Sequence, residues 1–340
     1  VYVLVTGGLG YIGSHTAIAL LAAGHNVVVL DNLQNSNVSI VTRIEVISER
    51  KIVFVQGDIR DQVLVHSVLV EHRIEAVLHF AGLKVVEESI CDPLDYFDCN
   101  ITGTIELCAA MKMASVNTLV FSSSASVYGN AGFPPFNENQ ENLHPTNPYA
   151  RSKLIIENML TDLAESNSDW NIASLRYFNP AGAHDSGMLG EDPINQPSNL
   201  IPFVSKVASG KLNKLRIFGN DYNTADGTGV RDYIHIMDLA DGHIAALEYL
   251  HNNEGNSVFN LGIGKGASVL EVIREFENVS KKTIPFEVFE RRMGDVAESW
   301  ADVARAERLL GWKARRSLSD MCLDAWRWEH DGSPLLGEDA

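Results

Sequence analysis

Tyr149 and Lys153 stand four residues apart in a stretch with helical character, and three consecutive serines, Ser122, Ser123 and Ser124, close an apolar run upstream. Spacing i, i+4 puts the phenol and the ammonium on one helical face, one turn apart. A phenol of ordinary pKa about 10 is a poor base at neutral pH, and bringing it to about 7 takes roughly 4 kcal/mol of preferential stabilisation of the phenolate. A neighbouring ammonium supplies part of that, while a serine hydroxyl hydrogen-bonds the same substrate oxygen. The chemistry this suits is removal of a hydroxyl proton while the carbon bearing it gives up a hydride. Taken alone the pair also fits a surface tyrosine beside a solvated lysine. Position favours a site, because open α/β sheets bind ligands outside the carboxyl ends of their strands, where the serine run lies.

A hydride needs an acceptor, and the start of the chain offers a place for one. The strand Tyr2 to Thr6 runs into Gly7, Gly8, Leu9, Gly10, Tyr11, Ile12 and Gly13, then into a helix. In such a turn Gly7 supplies the unusual dihedral, Gly10 lets the backbone approach a pyrophosphate, and Gly13 lets helix and strand pack closely, with the helix N-terminus toward the phosphates. The second strand ends at Asp31, 18 residues past Gly13, near the roughly 20 expected for an acid that bonds the adenosine ribose hydroxyls. With no Arg or Lys between Asp31 and Arg43, nothing nearby would accept a 2′-phosphate, so the expected cofactor is NAD rather than NADP. Gly262, Gly264 and Gly266 lack an acid-tipped second strand and read as a plain loop. Gly-x-Ser-x-Gly and His-Glu-x-x-His hydrolase signatures are absent.

Continuous apolar runs at Tyr2 to Thr6, Asn26 to Asp31, Ile52 to Val55, Ala76 to Phe80, Thr118 to Ser122 and Ile172 to Arg176 predict buried parallel strands. Helices are expected at Tyr11 to Ala23, Leu64 to Glu71, Leu94 to Met113 and Tyr149 to Glu165 as crossover connections. The predicted fold class is α/β: a doubly wound parallel (Rossmann) sheet over residues 1–178, containing Ser124, Tyr149 and Lys153, with a smaller C-terminal α/β substrate lobe over 179–330. Gly-, Pro- and Asn-rich stretches after Asn179 read as binding loops of that lobe, and 331–340 as a frayed tail.

The 340 residues are 45% hydrophobic and 21% charged with a formal net charge of −17, which argues against nucleic acid or an anionic membrane as partner. A small anionic ligand held by a few arginines and backbone amides remains compatible. No charged leader opens the chain and no run of about eighteen apolar residues occurs, so the expected location is cytoplasmic. Cys91, Cys99, Cys108 and Cys322 form no CxxC pair and no zinc-like grouping; free thiols and no metal are expected.

The run Thr6 to Gly13, the serine run through Ser124 and Tyr149-x-x-x-Lys153 resemble the extended short-chain dehydrogenase/reductase family. Within it, His79-Phe-Ala-Gly-Leu-Lys84, Arg176-Tyr-Phe-Asn-Pro180, Gly190-Glu-Asp-Pro193 and Gly227-Thr-Gly-Val-Arg-Asp-Tyr-Ile-His235 resemble the UDP-glucose 4-epimerases, from the first strand to about Trp328. The resemblance implies interconversion of UDP-glucose and UDP-galactose through a 4-keto sugar, with tightly bound NAD taking a hydride from carbon 4 and returning it to the other face. It assigns Ser124, Tyr149 and Lys153 to catalysis. It assigns Gly7, Gly10, Tyr11, Ile12, Gly13, Asp31, Asn32, Leu33, Gln34, Asn35, Ser36, Asp58, Ile59, Phe80, Ala81, Gly82, Leu83, Lys84, Cys99, Lys153 and Phe178 to NAD. The UDP-sugar is assigned Ser124, Tyr149, Asn179, Asn199, Leu200, Arg216, Ile217, Phe218, Arg231, Arg292, Met293, Gly294, Asp295 and Ser299. A homodimer is implied, pairing through about Glu88 to Met113 and Tyr149 to Glu165.

Arg231 and Arg292 also fit solvated surface charges, although their guanidinium forks suit a diphosphate; Asn199 also fits a helix N-cap, and Phe218 a core residue. Two positions depart from the family's common pattern. Cys99 stands where the family commonly has Asn near the cofactor, and a thiol is the poorer hydrogen-bonding group. Ser299 stands where some members carry a bulky Tyr, and the small residue goes with acceptance of N-acetylated sugars, so UDP-N-acetylglucosamine and UDP-N-acetylgalactosamine are expected substrates as well. Three rivals remain at this stage. A nucleotide-sugar 4,6-dehydratase would need an Asp-Glu pair where Ala125 and Ser126 follow Ser124. The others are a non-catalytic NAD-binding redox sensor and a net dehydrogenase.

Overall fold

The computed structural model describes residues 1–192, 199–292 and 295–332. Its first half alternates strands β1 (Tyr2–Thr6), β2 (Asn26–Asp31), β3 (Val53–Gln56), β4 (Ala76–His79), β5 (Thr118–Ser124) and β6 (Asn171–Tyr177) with helices. The helices are α1 (Tyr11–Ala22), α2 (Ser39–Ser48), α3 (Gln62–Glu71), α4 (Val86–Cys91), α5 (Pro93–Phe97), α6 (Gly103–Met113) and α7 (Pro148–Ser166). Beyond them lie β7 (Asn179–Ala181), α8 (Leu200–Ala208), β8 (Leu215–Phe218), β9 (Val230–Arg231), β10 (Tyr233–His235), α9 (Ile236–Leu250) and β11 (Gly255–Leu261). The C-terminal part adds β12 (Ala267–Ser268), α10 (Val269–Ser280), β13 (Phe286–Phe289), β14 (Glu298–Ser299), α11 (Ala304–Leu310) and α12 (Leu318–Asp331).

Seven parallel strands form the central sheet in the order β11-β6-β5-β4-β1-β2-β3. The doubly wound α/β class expected from the sequence is the one observed. Successive residues of the apolar runs feed opposite faces. Val3, Val5, Val27 and Val29 pack with α1 and α9, whereas Leu4, Val28 and Leu30 pack with α3, α6 and α7. Each such side chain, once buried, contributes about 1.5–3 kcal/mol relative to exposure, so the two layers hold both sets of helices against the sheet.

Three expectations need correction. The sheet is not completed by residues 1–178, because β11 extends it beside β6. Its sequence, Gly255-Asn-Ser-Val-Phe-Asn-Leu261, carries too many polar residues to read as a buried strand. The strand β3 sits at the other edge and is half exposed rather than buried. Finally, Leu94 to Met113 is not one helix: α5 and α6 are joined by a π-helical turn, Asp98–Thr102, whose wider i to i+5 bonding recurs at functional sites. The helix α12 runs through Asp331; residues 333–340 lie outside the described part.

Local signals set the helix starts. Pro148 occupies the first turn of α7, and the Asn147 side chain accepts from Ala150 N at 2.9 Å, a pairing that fixes where Tyr149 emerges. Ser268 and Glu271 cap α10 reciprocally.

Candidate active site

The glycine loop has the shape its residues predict. Gly7 adopts φ +65 and donates to Leu30 O at 2.8 Å. A Cβ on Gly7 would lie 2.6 Å from Ala81 N, and one on Gly13 2.4 Å from Gly7 O. At Gly10 a Cβ would meet only Gly7 O, at 3.3 Å, so this side of the loop is open to an approaching group ahead of the N-terminus of α1. Asp31, at the end of β2, accepts from Leu9 N at 3.0 Å, Leu33 N at 2.9 Å and Ser36 Oγ at 2.8 Å. Its carboxylate therefore braces the loop and keeps lone pairs for a ribose hydroxyl. Asn32 donates to Asp58 at 3.1 Å, and Arg60 grips the same carboxylate at 2.9 and 2.8 Å. That guanidinium holds the Asp58 carboxyl well down, at about 2. Gln34 N donates to Asn32 Oδ1, and Ile59 is buried against Gly103. These features fit a dinucleotide: a cradle that side chains would fill, a helix N-terminus and an acid at the second strand's end.

The segment Phe80 to Lys84 crosses the carboxyl end of β4. Its anchor is Asn100, 2% exposed in the π-helical turn. Asn100 Oδ1 accepts from Leu83 N at 2.8 Å, and Nδ2 donates to Leu83 O and to Ser152 Oγ, each at 3.1 Å. Gly82, with φ +155, passes so near that a Cβ would be 2.9 Å from Asn100 Oδ1. Cys99 packs with Leu83, Tyr96 and Tyr149, and burial pushes its thiol up. The amide thus sits one residue beyond the departure at Cys99. The Phe80 and His243 rings pack at a tilt of 55° with centroids 4.8 Å apart, and Phe178 is buried with Tyr128, Phe136 and Ala301. Tyr11 donates to Gly182 O at 2.7 Å, and Ile12, in the first turn of α1, packs on the core.

Ser124, Tyr149 and Lys153 converge at the ends of β5 and the start of α7. Burial raises the Tyr149 phenol above 10; a hydrogen bond with Ser124 and the nearby Lys84 ammonium pull the other way. Lys153 Nζ donates to Ser122 O at 2.8 Å and lies 6.0 Å from the Tyr149 ring. Burial draws it down to about 8. The i, i+4 spacing predicts Lys153 as the cation that favours the phenolate; the ammonium that lowers the phenol here is that of Lys84. Lys84 in turn pairs with Glu191 at 3.0 Å, which no sequence motif assigned beyond Gly190-Glu-Asp-Pro193. Ser124 also accepts from Ser126 Oγ at 2.8 Å and Ser126 N at 3.2 Å, and Ala125–Val127 offers no carboxylate for a dehydratase.

Across the cleft, small sheets of the second half collect the remaining residues. Pairing of β14 with β9 puts Ser299 beside Arg231, and pairing of β7 with β10 sets Asn179 beside Tyr233. Arg231 donates to Val230 O at 2.9 Å and Ala297 O at 3.4 Å. Asp232, fully buried, accepts from the backbone of Ile263, Gly264 and Ala301 at 2.8 to 3.1 Å, which gives the glycine loop there a structural role. Asn199 holds the N-cap position of α8 without capping it; its amide donates to Glu191 at 2.8 Å instead. Leu200, next in the chain, packs on the lobe's core. On β8, Arg216 lies 5.8 Å over Phe289, and Phe218 packs at a tilt against Phe289 at 5.9 Å and under Arg292 at 3.9 Å. The Ile217 side chain is in the core, 2% exposed, so only its backbone remains for a ligand. Asp295 is exposed and donates its N–H to Arg292 O; Met293 and Gly294 lie outside the described residues.

A family model described as GDP-mannose 4,6 dehydratase matches residues 4–325. The UDP-glucose 4-epimerase of Bacillus subtilis is 52% identical over 327 residues, covering 96% of each chain. The chain belongs to the UDP-glucose 4-epimerase family. A UDP-glucose 4-epimerase from Stenotrophomonas maltophila, solved with NAD and formylated UDP-arabinopyranose, matches with TM-score 0.95 at 51% identity, covering 97% of this chain and 98% of that one. Another from Bifidobacterium longum, in complex with NAD+ and UDP, matches with TM-score 0.94 at 46% identity and the same coverage. Among the described residues no helix is long and apolar enough to cross a membrane, and no group of three or more His, Cys, Asp or Glu could hold a metal.

Proposed function

We propose that this protein is an NAD-dependent isomerase that interconverts UDP-glucose and UDP-galactose through a 4-keto sugar. The observation that carries this is the meeting of Tyr149, Ser124 and Lys84 beside a glycine cradle in a chain about half identical to UDP-glucose 4-epimerases along nearly its whole length. Bound NAD supplies a reversible hydride acceptor at carbon 4. Gly7, Gly10, Gly13 and Asp31 hold its adenosine diphosphate half, with Asn32 to Ser36, Asp58 and Ile59 alongside. Tyr11, Ile12, the Phe80 to Lys84 segment, Cys99, Lys153 and Phe178 line the rest.

Tyr149 takes the proton of the carbon 4 hydroxyl and later returns it, while Ser124 hydrogen-bonds the same oxygen. Lys153 and Lys84 favour the phenolate from two sides. Arg231 and Arg292 fork onto the diphosphate, Arg216 to Phe218 flank the base, and Asn179, Asn199, Leu200 and Met293 to Asp295 complete the grip. UDP stays anchored while the ketosugar turns, so either face returns to the hydride. Incubating the purified protein with UDP-galactose, without added NAD, and identifying the product by NMR tests this: UDP-glucose is expected, and unchanged substrate refutes it.

Ser299, beside Arg231 in a parallel pair, is far smaller than the Tyr that some members of the family carry there, and on that ground UDP-N-acetylglucosamine and UDP-N-acetylgalactosamine are also substrates. Activity confined to the plain hexoses would contradict this, as would a Ser299→Tyr variant that handles acetamido sugars undiminished. A homodimer is further proposed, because Leu94, Ile105 and Ile155 leave 77, 46 and 44% of their surface exposed on α5, α6 and α7, the helices the family pairs through. The cytosol suits the four unpaired cysteines.

A further inference from the structure

Behind the Ser124, Tyr149 and Lys153 group lies a sealed polar cluster that no motif assigned. Glu157, on α7 one turn beyond Lys153, and Arg176, on β6, each leave 5% of the side chain exposed. Arg176 Nε donates to Oε1 at 3.0 Å and Nη2 to Oε2 at 2.6 Å, a two-pronged pairing with fixed geometry. Ser123, the residue before Ser124, donates its hydroxyl to the same carboxylate. Arg176 Nη1 donates to the Tyr128 hydroxyl at 3.1 Å, and that hydroxyl donates to Asn260 Oδ1 at 2.8 Å. The cluster therefore ties β6, β11 and the segment after Ser124 to β5 and α7, the two elements that carry the reacting side chains. A buried ion pair adds little net stability over apolar packing, since desolvation offsets the attraction. Its location calls for another reason.

We propose that Glu157 and Arg176 are positioning residues for the epimerisation: the pair, with Ser123 donating to the same carboxylate, locks the end of β5 and β6 to α7, setting Ser124 against Tyr149. This rests on the roles given above to Ser124, Tyr149 and Lys153. The ammonium faces Tyr149 and Glu157 from α7, Cys99 from the π-helical turn and His79 from β4, with the Ser122 carbonyl and the Phe121 ring on β5. Burial lowers Lys153, and Cys99 and then Glu157 oppose that, so removing the carboxylate lowers it further, and activity fails sooner on the alkaline side.

The test compares Glu157→Gln with the double variant Glu157→Gln, Arg176→Met, in which no guanidinium is left buried and unpaired. For both, kcat with UDP-galactose is expected to fall about 10- to 100-fold, the scale for misplacing reacting groups, with UDP affinity within about twofold. The alkaline limb of the Glu157→Gln profile should move to lower pH. If the single variant does not fold, the double variant carries the comparison. A folded double variant with wild-type kcat and an unshifted profile would overturn the proposal and leave the pair as scaffold. An active Tyr149→Phe variant would instead overturn the underlying reading, so the two failures are separable.

Discussion

At the scale of single residues, burial raises the Tyr149 phenol above its ordinary value and outweighs Ser124 and Lys84, which pull it down. Tyr149→Phe should lower turnover by about 10²–10⁴ while UDP still binds; near-normal turnover by steady-state assay would remove the tyrosine from the chemistry. Arg231→Ala should raise KM and weaken UDP binding measured by calorimetry, and unchanged UDP affinity would refute its phosphate role. The tyrosine-lysine pair was legible in the sequence because i, i+4 spacing is local. Lys84 beside Tyr149, Asn100 on Leu83 and Arg176 on Glu157 were not, since the fold brings their partners together, across 17 residues of chain for Asn100 and Leu83 and 19 for Arg176 and Glu157.

Among the elements, the glycine loop shows how backbone shape alone prepares a site. A methyl at Gly13 would strike Gly7 O, so Gly13→Ala should force α1 away from β1, cost about 1–3 kcal/mol and shed NAD on gel filtration; full cofactor retention with an unaltered melting temperature would contradict this. Strands β1, β2, β4, β5 and β6 were readable because strands buried on both faces are apolar without a break, whereas β3 carries an apolar run although it lies half exposed at the edge. The strand β11 was hidden, for its Asn256, Ser257 and Asn260 find partners only inside the fold: Asn256 donates to Thr161, and Asn260 to Phe136 O. Helix periodicity likewise gives no sign of the one extra residue that widens Asp98–Thr102 into a π turn, and that turn is what sets Asn100 against Leu83.

Over the whole molecule, a net charge of −17 surrounds a cleft whose cations come from both halves. Lys84 reaches Glu191 at 3.0 Å and Arg292 reaches Glu87 at 3.8 Å, so in each pair one partner comes from the segment after β4 and the other from the second half. With Lys84 and Arg292 half exposed, these pairs hold weakly, and a diphosphate carrying more charge can displace them. Acid should act elsewhere. The Asp58 carboxyl, at about 2 against an ordinary 3.8, contributes stability that is present above pH 3.8 and is lost as pH falls through 2. Urea midpoints across that window should decline less steeply in Asp58→Asn; identical slopes would show that the Arg60 pairing adds nothing.

The return of hydride to the ring it left is what separates an epimerase from a net dehydrogenase, and labelling reads it directly. UDP-galactose carrying deuterium at carbon 4, incubated in ordinary water without added NAD, should give UDP-glucose with the deuterium still at carbon 4, seen by NMR, and no accumulation of NADH. Protium at carbon 4 of the product, or NADH formed in proportion to substrate, would contradict the assignment.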